Sequence, residues 1–203
     1  MNIPFYPNLK SDTHCFQACL KMVLAYFWPN KSFTYQELDR ISGHKSNQWT
    51  WDSQALVWLL DRGFIIKKIS LFDHRKFAHQ GKEYLASFWN EDTFQKQKKM
   101  SDFKTAQYQM KKLVSHPKFR PIRKKPGLAD IDNYSKKGFV LIASVNINIL
   151  DNASGYNNHS VVIIHVSKKN ITFHDPGLPP RKARIVSRAK FKKALGEITV
   201  IRL

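Results

Sequence analysis

Residues 158–177, NHSVVIIHVSKKNITFHDPG, contain two apolar runs that a short polar turn separates. Both runs are rich in Val, Ile and Phe, which predicts two strands, Ser160–Val166 and Asn170–His174. A turn of this length joins neighbouring antiparallel strands as a hairpin. We therefore expect His159, before the first strand, and Asp175, after the second, to lie at the same end of that hairpin.

The pattern leaves open whether His159 and Asp175 share a face of the sheet. Successive side chains of a strand point to opposite faces, so the count of residues in the turn matters. A three-residue loop at Lys168–Asn170 places both side chains on one face. A two-residue loop places them on opposite faces unless a β-bulge intervenes.

Helices dominate the residues before this hairpin. Ser11, Asp12 and Thr13 offer caps for a first helix, which Trp28-Pro29-Asn30 ends. Its apolar residues recur at a helical period: Phe16, Cys19, Leu20, Val23, Leu24 and Phe27. Further elements are a helix at about Thr34–Ile41 with a capping-box pattern, a helix at about Asp52–Arg62 and a strand at Phe64–Phe72.

The segment Lys76–Lys125 differs in character, because aromatic residues recur there among lysines and glutamines. We expect two amphipathic helices in this basic helical insertion and a proline-rich loop at Lys118–Gly127. A short helix at Ile131–Ser135 and strands at Gly138–Ile149 and Ile198–Leu203 follow. Helices first and an antiparallel sheet second predict one α+β domain over residues 1–203.

The net charge of +19, from 34 Lys and Arg against 15 Asp and Glu, predicts attraction to acidic partners. The ranges Lys96–Lys137 and Arg181–Lys193 are especially basic. Such stretches bind nucleic-acid backbones or acidic proteins, and they also occur as solvated faces of basic proteins. Both interpretations remain open for this chain.

The composition also points to a location and away from cofactors. Met1–Asn8 contains no apolar core of a secretory signal, and the apolar stretches are too short for a membrane span. The only cysteines, Cys15 and Cys19, are four residues apart, so we expect a reducing, cytoplasmic setting. His14 and these cysteines are possible zinc ligands, but no second paired motif accompanies them and Gly-rich phosphate loops are absent, so we expect no metal and no organic cofactor.

The chemistry that these residues suggest is acyl transfer by a thiol. A helix start favours the thiolate form of Cys15, and a histidine held by a carboxylate completes the usual arrangement. His159 and Asp175 are the candidates for these two roles. The competing interpretations are a buried structural Cys15, a turn role for Asp175, and His165 or His174 in place of His159.

Five stretches of the chain, in this order, resemble the papain-like peptidases that process bacteriocin precursors with double-glycine leaders. They are IPFYPN (3–8), CFQACLKMVLAYF (15–27), FTYQELDRISG (33–43), ADIDNYSKKGFVLIASVN (129–146) and NHSVVIIHVSKKNITFHDPG (158–177). The resemblance implies a helical half led by the nucleophile helix, packed on an antiparallel sheet. It implies Cys15 as nucleophile, His159 as general base and Asp175 as third member, acting on a peptide or amide bond.

Two positions differ from that family's usual pattern. Phe16 stands where the family has glycine after the nucleophile, and Asn8 is the best match to the family's oxyanion-hole glutamine. The same three residues also carry out transamidation or acyl transfer to an amine. A catalytically inactive peptide-binding module on this scaffold is a further alternative, which Phe16 keeps open.

Overall fold

The computed structural model describes residues 1–203 and contains ten helices and seven strands. The helices are α1 (Cys15–Phe27), α2 (Tyr35–Ser42), α3 (Ser53–Leu60), α4 (His74–Gln80), α5 (Lys82–Phe88), α6 (Glu91–Met100), α7 (Phe103–Ser115), α8 (Leu128–Lys136), α9 (Ile147–Leu150) and α10 (Arg188–Ala194). The strands are β1 (Ile65–Ser70), β2 (Phe119–Arg123), β3 (Val140–Asn146), β4 (Asn158–Val166), β5 (Asn170–Asp175), β6 (Arg181–Ser187) and β7 (Leu195–Arg202).

One seven-stranded sheet, in the order β2-β1-β7-β3-β4-β5-β6, organises the molecule. Its pairs are antiparallel except for β1 and β2, which run parallel at one edge. The predicted α+β class is confirmed. The predicted loop at Lys118–Gly127 is wrong for β2, because an edge strand tolerates Pro121, whose missing N–H costs the ladder nothing on its open side.

The sheet has a hydrophobic cluster on each face, because neighbouring residues of a strand point in opposite directions. Ile142 and Val162 belong to the larger cluster, which also contains most of the buried residues of α1 and α3. Leu141 and Ile163 belong to the smaller cluster, beneath α8 and α10. α1 therefore packs directly against the face of β4.

The start of α1 is built differently from the prediction. Its N-cap residue is His14, and none of the predicted caps Ser11, Asp12 or Thr13 bonds the first turn. Instead the side-chain oxygen of Asn8 accepts a hydrogen bond from the backbone N–H of His14 at 3.0 Å. The prediction is wrong here because a side chain seven residues upstream of the helix fixes the entering chain.

The segment predicted as two helices contains four, α4 to α7. Gly81, with φ of 56°, separates α4 from α5, while Asn90 and Asp102 cap α6 and α7 through their side chains. Many of its aromatic side chains are core residues, and Phe77, for example, stacks on Trp51 with ring centroids 4.9 Å apart. The aromatics of this basic segment thus serve mainly to attach it to the larger cluster.

Candidate active site

Three elements of the fold bring the sequence-predicted residues together. Cys15 is the first residue of α1, His159 lies at the start of β4, and Asp175 is the last residue of β5. The packing of α1 on β4 sets the thiol beside the imidazole. Cys15 is partly exposed, whereas Cys19, one turn later, is fully buried in the larger cluster.

The β4–β5 hairpin places His159 and Asp175 on one face through a bulge. The N–H of Ser167 donates to the carbonyl of Asn170 at 3.0 Å, so the loop between them has two residues. The register then shifts between Ile163 and His165, which leaves Ile164 as an extra residue on β4. Without this extra residue position, the two-residue loop would place His159 and Asp175 on opposite faces of the sheet. The register shift places them on the same face.

His159 and Asp175 form a short, sheltered contact. The Nε2 atom of His159 lies 2.9 Å from Oδ1 of Asp175, and the side chains are 10% and 3% exposed. Because Nε2 binds the carboxylate of Asp175, Nδ1 is the ring nitrogen that is available to the Cys15 thiol. That thiol interacts with His159 and also with the backbone N–H and hydroxyl of Ser160.

These contacts favour charge separation between thiol and imidazole. Burial raises the pKa of Cys15, but the interactions with His159 and Ser160 outweigh it, so that the pKa of Cys15 is lowered. Burial lowers the pKa of His159, but the hydrogen bonds to Asp175 and Cys15 raise that pKa to about 10. The N-terminus of α1 adds a positive dipole end beside the sulfur. The arrangement therefore supports a thiolate–imidazolium pair near neutral pH.

Asp175 is held as a carboxylate by three donors. Burial raises its pKa, but hydrogen bonds from His159, from Arg184 Nη1 at 2.8 Å and from the N–H of Gly177 at 3.1 Å lower that pKa to about 2. Arg184 lies on β6 with a side chain that is only 11% exposed. Sequence reasoning missed Arg184, because nothing local distinguishes it from the other basic residues of its stretch.

The surroundings of Gly177 explain why the Asp-Pro-Gly sequence ends in glycine. A Cβ atom added at Gly177 would lie 3.1 Å from Oδ1 of Asp175 and 3.2 Å from Nε2 of His159. A side chain here would press on the hydrogen bond between those two residues. The close approach of the backbone therefore favours glycine, because a Cβ atom would displace the neighbouring side chains by a few tenths of an ångström.

His174 and His165, the two alternatives to His159, do not lie beside the Cys15 thiol. His174 donates from Nε2 to the carbonyl of Ile3 at 2.9 Å, and its Nδ1 accepts from the N–H of Ala183 at 3.1 Å. Burial lowers the pKa of His174, so this ring is a neutral structural link. His165 is exposed, at the end of β4 away from Cys15. The structure thus brings only His159 of these three to the thiol.

The two positions that differ from the family pattern are both buried. Phe16 is 6% exposed and belongs to the larger hydrophobic cluster. The Oδ1 atom of Asn8 accepts from the N–H groups of Leu9 and His14, and its Nδ2 donates to Asp12 at 2.9 Å. One N–H of that amide has no partner within the chain, and the backbone N–H of Asn8 binds the carbonyl of Pro176 at 2.7 Å.

A cavity of about 270 Å³ opens beside the histidine strand. Asn158, the residue before His159, contributes to its wall together with Trp49 and Tyr156. Five residues within Asn90–Gln97, the cap and body of α6, form the remainder. The helical segment therefore supplies one side of a space that reaches the start of β4, while Cys15, His159 and Asp175 themselves do not line it.

None of the ten helices combines the length and the apolar character that crossing a membrane requires.

Comparison with known proteins gives matches among solved structures. No family model matches the chain, and no curated protein matches it. The peptidase domain of Streptococcus ComA, a bi-functional ABC transporter involved in a quorum-sensing pathway, is 11% identical, with a TM-score of 0.52 over 98% of each chain. A protein from Bacillus anthracis described as a C39-like peptidase is 16% identical, with a TM-score of 0.48 over 100% of this chain and 96% of that one. The chain thus has the papain-like α+β fold of the ComA peptidase domain.

Proposed function

We propose that the protein is a cysteine peptidase, or a closely related thiol acyl-transfer hydrolase, in which Cys15 is the nucleophile. His159 acts as general base and acid, and Asp175 holds its imidazole. The observation that carries the proposal is the contact chain from Asp175 through His159 to a partly exposed thiol at a helix N-terminus. A cysteine that only fills space in the core is not expected to have a lowered pKa or a charged partner.

Acylation begins with attack of the Cys15 thiolate on the carbonyl carbon of the substrate amide. The carbonyl π electrons move to oxygen, where the backbone N–H of Cys15 and the free amide N–H of Asn8 are the proposed donors to the oxyanion. As the C–N bond breaks, the leaving nitrogen takes the proton of the His159 imidazolium. The products of this step are a free amine, a neutral imidazole and a thioester on Cys15.

Deacylation reverses these roles. Neutral His159 takes a proton from water, whose oxygen attacks the thioester carbonyl, and the C–S bond breaks to regenerate thiolate and imidazolium. An amine in place of this water gives transamidation by the same steps. The acceptor that enters the cleft therefore decides between hydrolysis and acyl transfer.

The cavity beside Asn158 is the proposed site for a substrate side chain. Trp49 and Tyr156 offer aromatic surfaces, while Asp92 and Lys96 offer charges of both signs at its rim. The formal charge of +19 favours the approach of acidic peptides or acidic partner proteins. Two free cysteines, one of them the proposed nucleophile, suit a reducing compartment such as the cytoplasm.

The proposal is tested by the pH dependence of Cys15 alkylation with iodoacetamide. The Cys19→Ser background removes the second thiol, and His159→Ala is compared with the intact histidine. We expect rapid alkylation at pH 6 with His159 present, and ordinary thiol behaviour, with little reaction at pH 6, in His159→Ala.

Slow alkylation that is the same in both proteins would contradict the proposal. It would favour a peptide-binding module on this scaffold. Circular dichroism of each variant ensures that a change in rate reflects the thiol and not a loss of fold.

A further inference from the structure

A second group of chemically active side chains lies next to α1, outside the contact chain described above. His14, Asp39 and His44 each offer one metal-ligating atom, and these atoms all lie within 4.8 Å of one another. The Nε2 atom of His14 is 3.2 Å from Oδ1 of Asp39, and the rings of His14 and His44 have centroids 4.2 Å apart. None of the three residues belongs to the proposed catalytic machinery.

The end of α2 explains why Asp39 and His44 meet. Gly43 takes the left-handed conformation with φ of 69° and ends the helix. The backbone N–H groups of Gly43 and His44 both turn back to the carbonyl of Asp39, the latter at 3.0 Å. This glycine-ended turn folds His44 over the last turn of α2, where Asp39 lies. Packing of α1 on α2 then adds His14.

The remaining ring nitrogens of the two histidines are already oriented by partners. The Nδ1 atom of His14 lies 3.1 Å from the Ser11 hydroxyl, and the Nδ1 atom of His44 lies 2.8 Å from the Thr50 hydroxyl. The Thr50 oxygen also accepts from the amide of Gln17 at 2.7 Å. Metal-binding histidines commonly donate their second ring N–H to such a partner, which fixes the tautomer and leaves the other nitrogen free for the ion.

Asp39 supplies an independent observation. Its Oδ1 atom is buried and makes no hydrogen bond although it lies 3.2 Å from Nε2 of His14, which is hydrogen-bonded to Oδ2 of Asp39 at 3.4 Å. A buried carboxylate oxygen without a partner is costly, and a bound cation would satisfy it. The side chain of Asp39 as a whole is 31% exposed, so an ion can enter from solvent.

We propose that His14, Asp39 and His44 form a binding site for a divalent transition metal, Zn²⁺ being the best fit. Two imidazoles and one carboxylate are a common three-residue set for zinc, with water as fourth ligand. Tetrahedral Zn²⁺ with N and O ligands needs ligand atoms about 3.3 Å apart. The pair of His14 and Asp39 meets this spacing at 3.2 Å, and because all three ligand atoms lie within 4.8 Å of one another, a movement of the His44 ring by about 1.5 Å or less closes the remainder.

The site ties the nucleophile helix to α2. His14 is the N-cap residue of α1 and directly precedes Cys15. An ion bound by His14, Asp39 and His44 fixes the start of α1 against the end of α2. The structural role of this metal is independent of the chemistry at Cys15, so its test needs no activity assay.

The test is titration of the untagged Cys15→Ser protein with Zn²⁺ by calorimetry, and with Co²⁺ by absorption spectroscopy. Cys15→Ser removes the thiol that would otherwise compete for the metal. His44→Ala removes a ligand and leaves the N-cap residue His14 in place, and Thr50→Val removes the hydroxyl that contacts His44 and that also accepts from Gln17. His165→Ala is the matched control, because His165 is an exposed histidine on β4.

We expect one equivalent of metal to bind, with tetrahedral Co²⁺ bands and no thiolate charge-transfer band. Thr50→Val is expected to weaken binding by roughly 10–100-fold, and His44→Ala by more. His165→Ala is expected to bind like the parent. Unchanged affinity in His44→Ala, with the fold intact by circular dichroism, would overturn the proposal, as would an equal loss in His165→Ala.

Discussion

Removal of Arg184 tests how much of the stability of the site depends on its link to Asp175. Arg184 donates from Nη1 to Asp175 at 2.8 Å, and from Nη2 to the carbonyl of Leu150 and to Asp151, each at 2.6 Å. The side chains of Arg184 and Asp175 are 11% and 3% exposed, so solvent screens this pair little. Arg184→Met leaves the buried carboxylate with one charged partner fewer, which we expect to lower the free energy of unfolding by about 3–5 kcal/mol.

The assay is urea unfolding at pH 7 of four proteins: the parent, Arg184→Met, Asp175→Asn and the double variant. A hydrogen bond to a charged group contributes about 1.5–3 kcal/mol. The cost of Arg184→Met should therefore be smaller by that amount when Asp175 is already Asn. Arg181→Met is the control, because Arg181 is 39% exposed and bonds Asp151 alone, and it should cost about 1 kcal/mol or less.

Equal costs of Arg184→Met in the two backgrounds would refute this reasoning. The contribution of Arg184 would then come from its contacts with Leu150 and Asp151, with no energetic coupling to Asp175. Arg184 would in that case support the loop after α9 and would have no share in holding the carboxylate beneath His159.

The rate of peptide hydrolysis should follow a bell-shaped pH profile, because the reactive ion pair needs a pH above the lowered pKa of Cys15 and below the raised pKa of His159. A rate that rises only through the pH range of an ordinary thiol would argue against this ion pair. Lys68, a buried residue of β1, pairs with the carboxylates of Asp52 and Glu197. Lys68→Met should therefore lower the free energy of unfolding in urea by about 3–5 kcal/mol, because both carboxylates lose their cation, and a loss near zero would be inconsistent with that pairing. Asn8→Ala should reduce kcat by about 10²–10³, and it should slow iodoacetamide alkylation much less, because alkylation forms no oxyanion and is sensitive only to the lost bond from Asn8 to the N–H of His14; equal effects on both would exclude the donor role. Gly177→Ala should lower kcat by less than the roughly 10²-fold loss that a 1 Å misplacement causes, because contacts of 3.1 and 3.2 Å demand only small shifts of Asp175 and His159; little change in the thermal midpoint is expected, and full activity would count against the close approach.

The central strands could be predicted from sequence because their residues are buried on both faces. β4 and β5 differ from the predicted bounds by no more than two residues, since Val, Ile and Phe fill both. β6 has no such signal. None of its seven side chains is buried and three of them are basic, so its strand character depends on pairing with β5, which a local pattern does not contain.

In the candidate site too, residues with a local sequence signal could be predicted, whereas contacts that depend on tertiary pairing could not. Cys15, His159 and Asp175 stand in recognisable local surroundings, and the structure brings them together. Arg184 reaches Asp175 only through the pairing of β6 with β5, so its hydrogen bond to Asp175 could not be predicted from the sequence. The cluster of His14 with Asp39 and His44 likewise depends on the packing of α1 against α2.

The bulge at Ile164 gives the β4–β5 hairpin an unequal tolerance to changes of length. Deletion of Ile164 would join Ile163 to His165 and give a regular ladder, in which every cross-strand partner is retained and His159 still faces Asp175. Insertion of one more residue at this point also permits a regular ladder, but only if the two-residue turn moves to Ser167-Lys168 and the residues beyond Ile163 take new partners on β5. A hairpin one residue shorter can therefore keep its turn and its partners, whereas one that is a residue longer keeps the two side chains aligned only with a new turn and a new register beyond Ile163.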